Sequence, residues 1–362
     1  MINKARRAQL RQHVLAPALL AITLLPGSPL AQTTAGTQVP GAVTRGSPHP
    51  ARRSGGCPFA ARAATPSSTG PCHVPREGTL LVAGDIPTCP HRKPAGTARA
   101  TAAIIGANHG TAAPLGDLVN GYGSRGDYRH CYGPTWGRYK SRTRPALGNH
   151  DYKHGNAAAY FSYFGARAGP RGKGYYSYNL ATWHIVVLNS NCSYIGGCGA
   201  GSPEERWLRS DLARHRALCT LAYWHKPLFT SGTSGGGDPA LRTFWQDLYS
   251  FGAEVVLNGH WHQYERFAPQ TPSGALDPFR GIREFVVGTG GSPLNHFRTI
   301  KPNSQVRNDT TYGVLKLTLQ AGSYHWRFLP ARGHTFTDSG RGTCHRAGGQ
   351  PALPVWSPAP GA

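Results

Sequence analysis

Nine residues, Glu254-Val255-Val256-Leu257-Asn258-Gly259-His260-Trp261-His262, join a strand directly to a pair of metal-ligand side chains. The run from Glu254 to Leu257 suits a strand buried on both faces. Gly259 lets the backbone turn sharply, and His260 and His262, two apart on extended chain, face the same side. Gly148-Asn149-His150-Asp151 repeats the arrangement after another stretch that reads as a buried strand. Asp85 after Thr79-Leu80-Leu81-Val82-Ala83-Gly84, Asp117 in Leu-Gly-Asp and His225 after Ala-Tyr-Trp add three more candidates, each closing an apolar run. Together these ends predict a metal site on the rim of a sheet.

Working outward, short runs at Leu80 to Ala83, His184 to Asn189, Leu218 to Trp224 and Arg283 to Val287 also read as buried strands. Helical segments separate them. Ser202-Pro203-Glu204-Glu205 supplies an N-cap, a first-turn proline and acids near the positive end of a helix dipole. Trp207, Leu208, Leu212 and Ala213 follow at helical spacing up to about Arg216, and a second helix is expected over Pro239 to Phe251. Val314 to Leu319 and Tyr324 to Leu329 flank Gln320-Ala321-Gly322-Ser323, a hairpin signature. The expected class is α/β with an antiparallel edge, in which ligands gather at the carboxyl ends of strands.

The donor types limit the chemistry. Carboxylate, amide oxygen and imidazole suit Zn, Mn or Fe, and no cysteine shows the paired spacing of a zinc module. Six ligands, Asp85, Asp117, Asn149, His225, His260 and His262, predict two ions rather than one. Two ions roughly 3.5–4 Å apart hold a bridging hydroxide and clamp the attacking and leaving oxygens of an in-line displacement. Phosphoester hydrolysis uses this best, because its transition state spreads negative charge over non-bridging oxygens.

Singly, each residue has a structural reading. Asp85 or Asp117 would serve as a turn residue, Asn149 would satisfy loop backbone, and His225 would make a structural hydrogen bond at a strand end. Their joint occurrence is what argues for a site. His109, His130, His154 and His184 lie outside the motifs and are read as structural or surface residues. Gly288-Thr289-Gly290-Gly291, with no helix pattern after it, is read as a turn near the active face.

The order Gly-Asp, Gly-Asp, Gly-Asn-His-Asp, His, Gly-His-x-His resembles the calcineurin-like metallophosphoesterases over about residues 79 to 329. With Tyr264-Glu265-Arg266 after the last motif, it is most similar to bacterial relatives of purple acid phosphatases. The resemblance implies a four-layer α/β/β/α sandwich of two mixed sheets and a dinuclear centre. It implies that Asp117 bridges the ions, that Asp85 and His262 hold one, and that Asn149, His225 and His260 hold the other. His150, beside Asp151, would face the substrate phosphate as the catalytic pair. Purple phosphatases carry Gly-Asp-x-x-Tyr, whose tyrosinate binds iron. Here that slot holds Asn120, with Tyr122 two places on, and the first motif is Asp85-Ile86-Pro87 rather than Asp-x-His. The ion beside Asp85 is thus one ligand short, with Tyr122, Asn120, His91 or water to fill the gap. Trp261 inside Gly-His-x-His reshapes the pocket wall.

Composition sets the surroundings. The 362-residue chain carries a net charge of +23 and eight cysteines. Lys4, Arg6, Arg7 and Arg11 precede an apolar stretch from Val14 to Leu25, with small residues near Ala31, so residues 1–31 read as a secretory signal. Export to the medium or cell envelope agrees with structural cysteines, and Cys192 and Cys198 bracket a loop short enough to close on itself. Residues 32–76, poor in large aliphatics and holding Cys57 and Cys72, and residues 346–362 read as disordered tails around a domain over 77–345. After signal removal no segment is long and apolar enough to cross a bilayer. The positive charge suits a small anionic phosphate ester and, nonspecifically, anionic envelope polymers. It is scattered rather than striped, which argues against a dedicated nucleic-acid module. Two functions follow: an exported metal-dependent phosphoesterase, or a catalytically weakened, polyanion-binding envelope protein on that scaffold.

Overall fold

Buried apolar runs set the order of elements. The strands are β1 (Glu77–Ala83), β2 (Thr111–Pro114), β3 (Tyr176–Leu180), β4 (Trp183–Val187), β5 (Cys219–Tyr223) and β6 (Val255–Asn258). After them come β7 (Tyr264–Phe267), β8 (Arg283–Val287), β9 (Ser304–Asn308), β10 (Gly313–Gln320), β11 (Ser323–Pro330) and β12 (Ser339–Thr343). The helices are α1 (Gly96–Ala107), α2 (Arg125–Asp127), α3 (Ala158–Phe164), α4 (Pro203–Arg214) and α5 (Arg242–Ser250). The computed structural model describes residues 77–345 apart from 88, 90, 92, 234 and 235. The expected signal, both expected tails, Cys57 and Cys72 lie outside the described residues.

Two mixed sheets result. The smaller runs β12-β11-β10-β1-β2, with only the β1–β2 pair parallel. The larger runs β3-β4-β5-β6-β8-β7-β9, parallel from β4 through β8 and antiparallel at its edges. Alternation along the larger sheet defines the layers. Ile185, Val187, Leu221, Tyr223, Val255 and Leu257 belong to the core shared with Leu80, Val82, Leu315 and Leu317 of the smaller sheet. Val186, Ala222, Trp224 and Val256 turn the other way, onto Leu208 and Leu212 of α4 and Phe244, Trp245 and Leu248 of α5. α1 covers the smaller sheet through Ala98, Ala102 and Ile105. The expected α/β/β/α sandwich is the fold observed.

Local chemistry explains the elements that frame the site. Ser202 caps α4, accepting a hydrogen bond from the Glu205 N–H at 3.3 Å, with Pro203 in the first turn. Glu204 does more than face the helix dipole: fully buried, it accepts the Asn189 N–H at 2.6 Å and so fixes the chain leaving β4. The β10–β11 hairpin pairs Gln320 with Ser323, and Gly322 takes the positive φ of +79° that this tight turn requires. Cys192–Cys198 pair as expected, and two further disulfides join Cys89 to Cys131 and Cys219 to Cys344. The last ties the start of β5 to the end of β12, cross-linking the two sheets. The stretch before Gly148 differs from expectation: it makes isolated parallel bridges, Leu115 with Ala146 among them, rather than a strand. Among the described residues no helix is long and apolar enough to cross a membrane.

Candidate metal centre

The six proposed ligands arrive from five chain reversals on one edge of the sandwich. Asp85 follows β1, Asp117 follows β2, His225 follows β5, and His260 and His262 follow β6. Asn149 opens a single turn over His150–Tyr152. Three of these residues hold the left-handed backbone that side chains avoid: Asp85 at φ 63°, Asp117 at 48° and His260 at 72°. Such strain costs on the order of 1–3 kcal/mol per residue and concentrates at functional sites. Glycine permits the close packing around them. A Cβ at Gly148 would sit 2.1 Å from Asp117 Oδ1, and one at Gly259 would sit 2.8 Å from Asp85 Oδ2.

Hydrogen bonds fix which atoms face inward. His225 places Nδ1 2.8 Å from the Leu115 carbonyl and His262 places Nδ1 2.7 Å from the Pro293 carbonyl. A carbonyl only accepts, so both rings carry a proton on Nδ1, which leaves Nε2 as the atom that can take a cation, whether a proton or a metal ion. His225 Nε2 then meets Asn149 Oδ1 at 3.0 Å, Asp117 Oδ2 at 3.3 Å and His260 Nδ1 at 3.2 Å. His262 Nε2 lies 3.4 Å from Asp85 Oδ1, a fully buried oxygen that accepts no hydrogen bond among the described residues. Lone pairs facing lone pairs in a buried site are repulsive unless a cation lies among them. The donor set therefore fits metal ions, with Asp117 placed between the two halves. Asp85, Asp117 and His225 alone bring ligand atoms within 4.8 Å of one another.

Electrostatics give the same answer. Burial opposes the charge of Asp117, yet His225 and His150 bring its carboxyl down to about 2. Burial also opposes the charge of His225, yet Asp117 raises that imidazole to about 9. Burial and His225 together push His260 down to about 4. The surroundings of Asp117 thus favour positive charge beside its carboxylate.

The remaining expected residues are placed as follows. His150 is partly exposed, donates its backbone N–H to Asp117 Oδ1 at 2.8 Å, and sets Nε2 3.9 Å from Asp117 Oδ2. Its Nδ1 lies 2.8 Å from the Gly121 carbonyl, and the Lys153 ammonium is 3.0 Å from Nε2. Asp151 was expected beside the substrate, but it is fully buried under the turn. It accepts from Gly148 N–H at 2.8 Å and from the Tyr128 hydroxyl at 2.7 Å. Burial and the nearby Asp117 raise its carboxyl to about 7. It supports the ligand turn from behind. Tyr122 points away, 75% exposed, and His91 is exposed too. Asn120 lies at the centre, its amide 3.0 Å from His262 Nε2. Trp261 sets its ring 5.6 Å from that of His260 and closes against Gly232. The Gly288–Gly291 turn does border the site, and Ser292 just beyond it joins Asn120 at 3.0 Å. Sequence reasoning missed Ser292, Lys153 and Tyr128. The Gly-rich turn was the signal for the first; no motif marks the others.

His184, read as structural, is buried against Asp211 at 2.7 Å, and His215 completes a second His/Asp group.

Fold and site together describe a metal-binding α/β sandwich with its ligands on strand ends. The sequence profile of the calcineurin-like phosphoesterases matches residues 78–264, more than half of the chain, and the chain belongs to that family. It is 32% identical to purple acid phosphatase 15 of Arabidopsis thaliana over 123 residues, 33% of this chain and 22% of that protein. It is 24% identical to probable inactive purple acid phosphatase 1 of the same plant over 228 residues, 53% of this chain and 37% of that one. The chain thus spans well under half the length of these curated relatives. A purple acid phosphatase from yellow lupin (Lupinus luteus) seeds shares the fold at a TM-score of 0.61 and 16% identity, covering 78% of this chain and 57% of that one.

Proposed function

We propose that the chain is an exported phosphoesterase that hydrolyses small phosphate esters with two ions held by Asp85, Asp117, Asn149, His225, His260 and His262. The observation that carries this is the convergence of lone-pair atoms on Asp117 together with the partnerless Asp85 Oδ1. Fe, Zn or Mn suits the donors. When bound, such ions polarise phosphoryl oxygens and lower the pKa of water. The chain's own residues do the rest. His150, held by Gly121 and facing Asp117, is placed to stabilise or protonate the leaving oxygen. Lys153 beside it adds a positive contact for an anionic ester. Asp151 and Tyr128 keep the turn carrying Asn149 and His150 in place, and the disulfides suit an oxidising compartment.

The second reading, a catalytically weakened scaffold that holds anionic polymers, draws on Asn120 in the tyrosine slot and on the net charge of +23. One experiment separates the two: metal content per chain, measured alongside turnover of a generic aryl phosphate. Close to two ions with chelation-sensitive turnover supports the phosphoesterase. Activity that survives exhaustive chelation sinks the two-ion mechanism, and two ions without turnover favour the scaffold.

A further inference from the structure

The ion position beside Asp85 is the half of the site that its motifs leave short, and the structure supplies a candidate that it has fixed in place. Asn120 stands three residues after Asp117. Its N–H donates to the Ile86 carbonyl at 2.8 Å, and it pairs with Pro87 in a parallel bridge. Its side-chain amide sits 3.0 Å from His262 Nε2 and 3.0 Å from Ser292 Oγ. Ser292 is only 1% exposed, and its N–H donates to the Asp85 carbonyl at 3.0 Å. Asp85, Asn120 and Ser292 are therefore held to one another by backbone, although Asn120 and Ser292 are 172 residues apart.

We infer that Asn120 is the remaining protein ligand of the ion beside Asp85, binding through its amide oxygen, with the Ser292 hydroxyl donating to that same oxygen. The spacing fits. Two ligand atoms each about 2.1 Å from one ion lie roughly 3.0–3.4 Å apart, and the Asn120 amide nitrogen, whose place the oxygen can take, stands 3.0 Å from His262 Nε2. The orientation follows from charge. Amide oxygen and nitrogen exchange places by a half-turn of the terminal torsion. With no cation, the NH₂ faces the His262 lone pair. With a cation on that lone pair, the oxygen faces it instead, and a hydroxyl follows the exchange because it donates as readily as it accepts.

This ligand rests on the two-ion reading above and adds a preference between ions. Asn120 is neutral where a tyrosinate would be anionic, so the position beside Asp85 carries one negative charge fewer. Removing a charge next to an ion in a buried site weakens a trivalent ion more than a divalent one. The site therefore selects Mn²⁺ or Zn²⁺ over Fe³⁺.

The test uses the full chain, stripped and then reloaded with Mn²⁺, Zn²⁺ or Fe³⁺, with ions per chain read by mass spectrometry and affinity by chelator competition. Circular dichroism checks folding of each variant. The wild type is expected to retain two Mn²⁺ or Zn²⁺ ions but not a second Fe³⁺. Asn120→Leu, close in shape but without the oxygen, should retain one. Asn120→Asp should hold two and admit Fe³⁺, and Ser292→Ala should weaken the second ion by roughly tenfold. Two ions of unchanged affinity in Asn120→Leu would overturn the ligand assignment and leave the two-ion reading standing. Fewer than two ions in the wild type would overturn that reading, and the assignment with it. Rejection of Fe³⁺ by Asn120→Asp would overturn the charge argument.

Discussion

Two clusters of histidine and aspartate sit toward opposite ends of the strands of the larger sheet, and by distance alone they look interchangeable. Around Asp117 the atoms come within 3.0–3.4 Å; around Asp211 they come within 2.7–3.1 Å. The protons distinguish them. His215 directs Nδ1 at the Asp211 carbonyl at 2.9 Å, His184 directs Nε2 at the Asp211 carboxylate, and Ser177 donates to the other oxygen at 2.8 Å. Both carboxylate oxygens of Asp211 thus face a donor, and the imidazole rings of His184 and His215 stack 4.6 Å apart. At Asp117, His225 and His262 turn Nδ1 to backbone carbonyls and Nε2 inward, beside an Asp85 oxygen that accepts no hydrogen bond among the described residues. One cluster is closed by its own hydrogen bonds; the other presents the donor set of a metal site. The tautomer imposed by a backbone carbonyl is a better guide to a metal site than the proximity of its ligands.

The largest expected effect breaks the comparison at its centre. Asp117→Ala should strip both ions and cost more than the roughly 10²–10⁴-fold in turnover expected of a lost acid. Metal analysis and aryl phosphate assays on the same sample check this. One ion retained at full affinity would mean that Asp117 does not join the two halves. Next comes His150→Ala, expected to lower turnover by roughly 10²–10⁴-fold with metal content unchanged, because its ring lies 3.9 Å from the Asp117 carboxylate and outside the proposed ligand set. Metal loss matching that of Asp117→Ala would reassign it as a ligand.

Much of this arrangement was legible in the sequence, and the parts that were not share a cause. Buried strands such as β5 and β8 announce themselves by β-branched and apolar runs, and the ligand motifs close those runs. β2 is expected only as an apolar run closed by Asp117; its span is not legible because Thr111-Ala112-Ala113-Pro114 is short and nearly featureless. β9 and β12 are polar edge strands that take their conformation from a neighbour. α1 has no side-chain cap and starts on a glycine. At the site, the ligand types were readable because each motif is local. Placing Asp151 behind its turn, Tyr122 in solvent and Ser292 beside Asn120 required tertiary contacts that no local pattern encodes. The left-handed backbones of Asp85, Asp117 and His260 are of the same kind, imposed by packing around the centre.

The second cluster gives the next smaller effect, on stability and not on chemistry. Asp211→Ala would leave Ser177 and His184 without their acceptor, at a cost of about 1–3 kcal/mol for each buried group left unpaired. Thermal unfolding should shift down while ions per chain and turnover per folded chain stay as in the wild type. Chelation should lower the melting temperature of wild type and Asp211→Ala alike, since ions that bind only the folded chain stabilise it by about 2.7 kcal/mol each at a hundred times their dissociation constant. Chelation should leave Asp117→Ala unmoved. Loss of metal in Asp211→Ala would erase the distinction between the two clusters.

The smallest expected effect is none, and it tests whether the metal cluster is closed as described. A phenolate bound to ferric iron absorbs strongly in the visible, so an iron-loaded chain reports any tyrosine that reaches the ion. Tyr122 is two places from Asn120, which holds the tyrosine slot, but its side chain is turned to solvent at 75% exposure. Gly121, just before it, is tied down by its carbonyl to His150 at 2.8 Å. Swinging the phenol inward would break that contact and displace Asn120 from Ser292 and His262. The chain should therefore show no strong visible band with iron present, and Tyr122→Phe should change neither spectrum nor metal content. A band that disappears in Tyr122→Phe would show the loop closing over the ion. In that case the cluster around Asp117 is finished by a mobile phenolate and not by the fixed amide of Asn120.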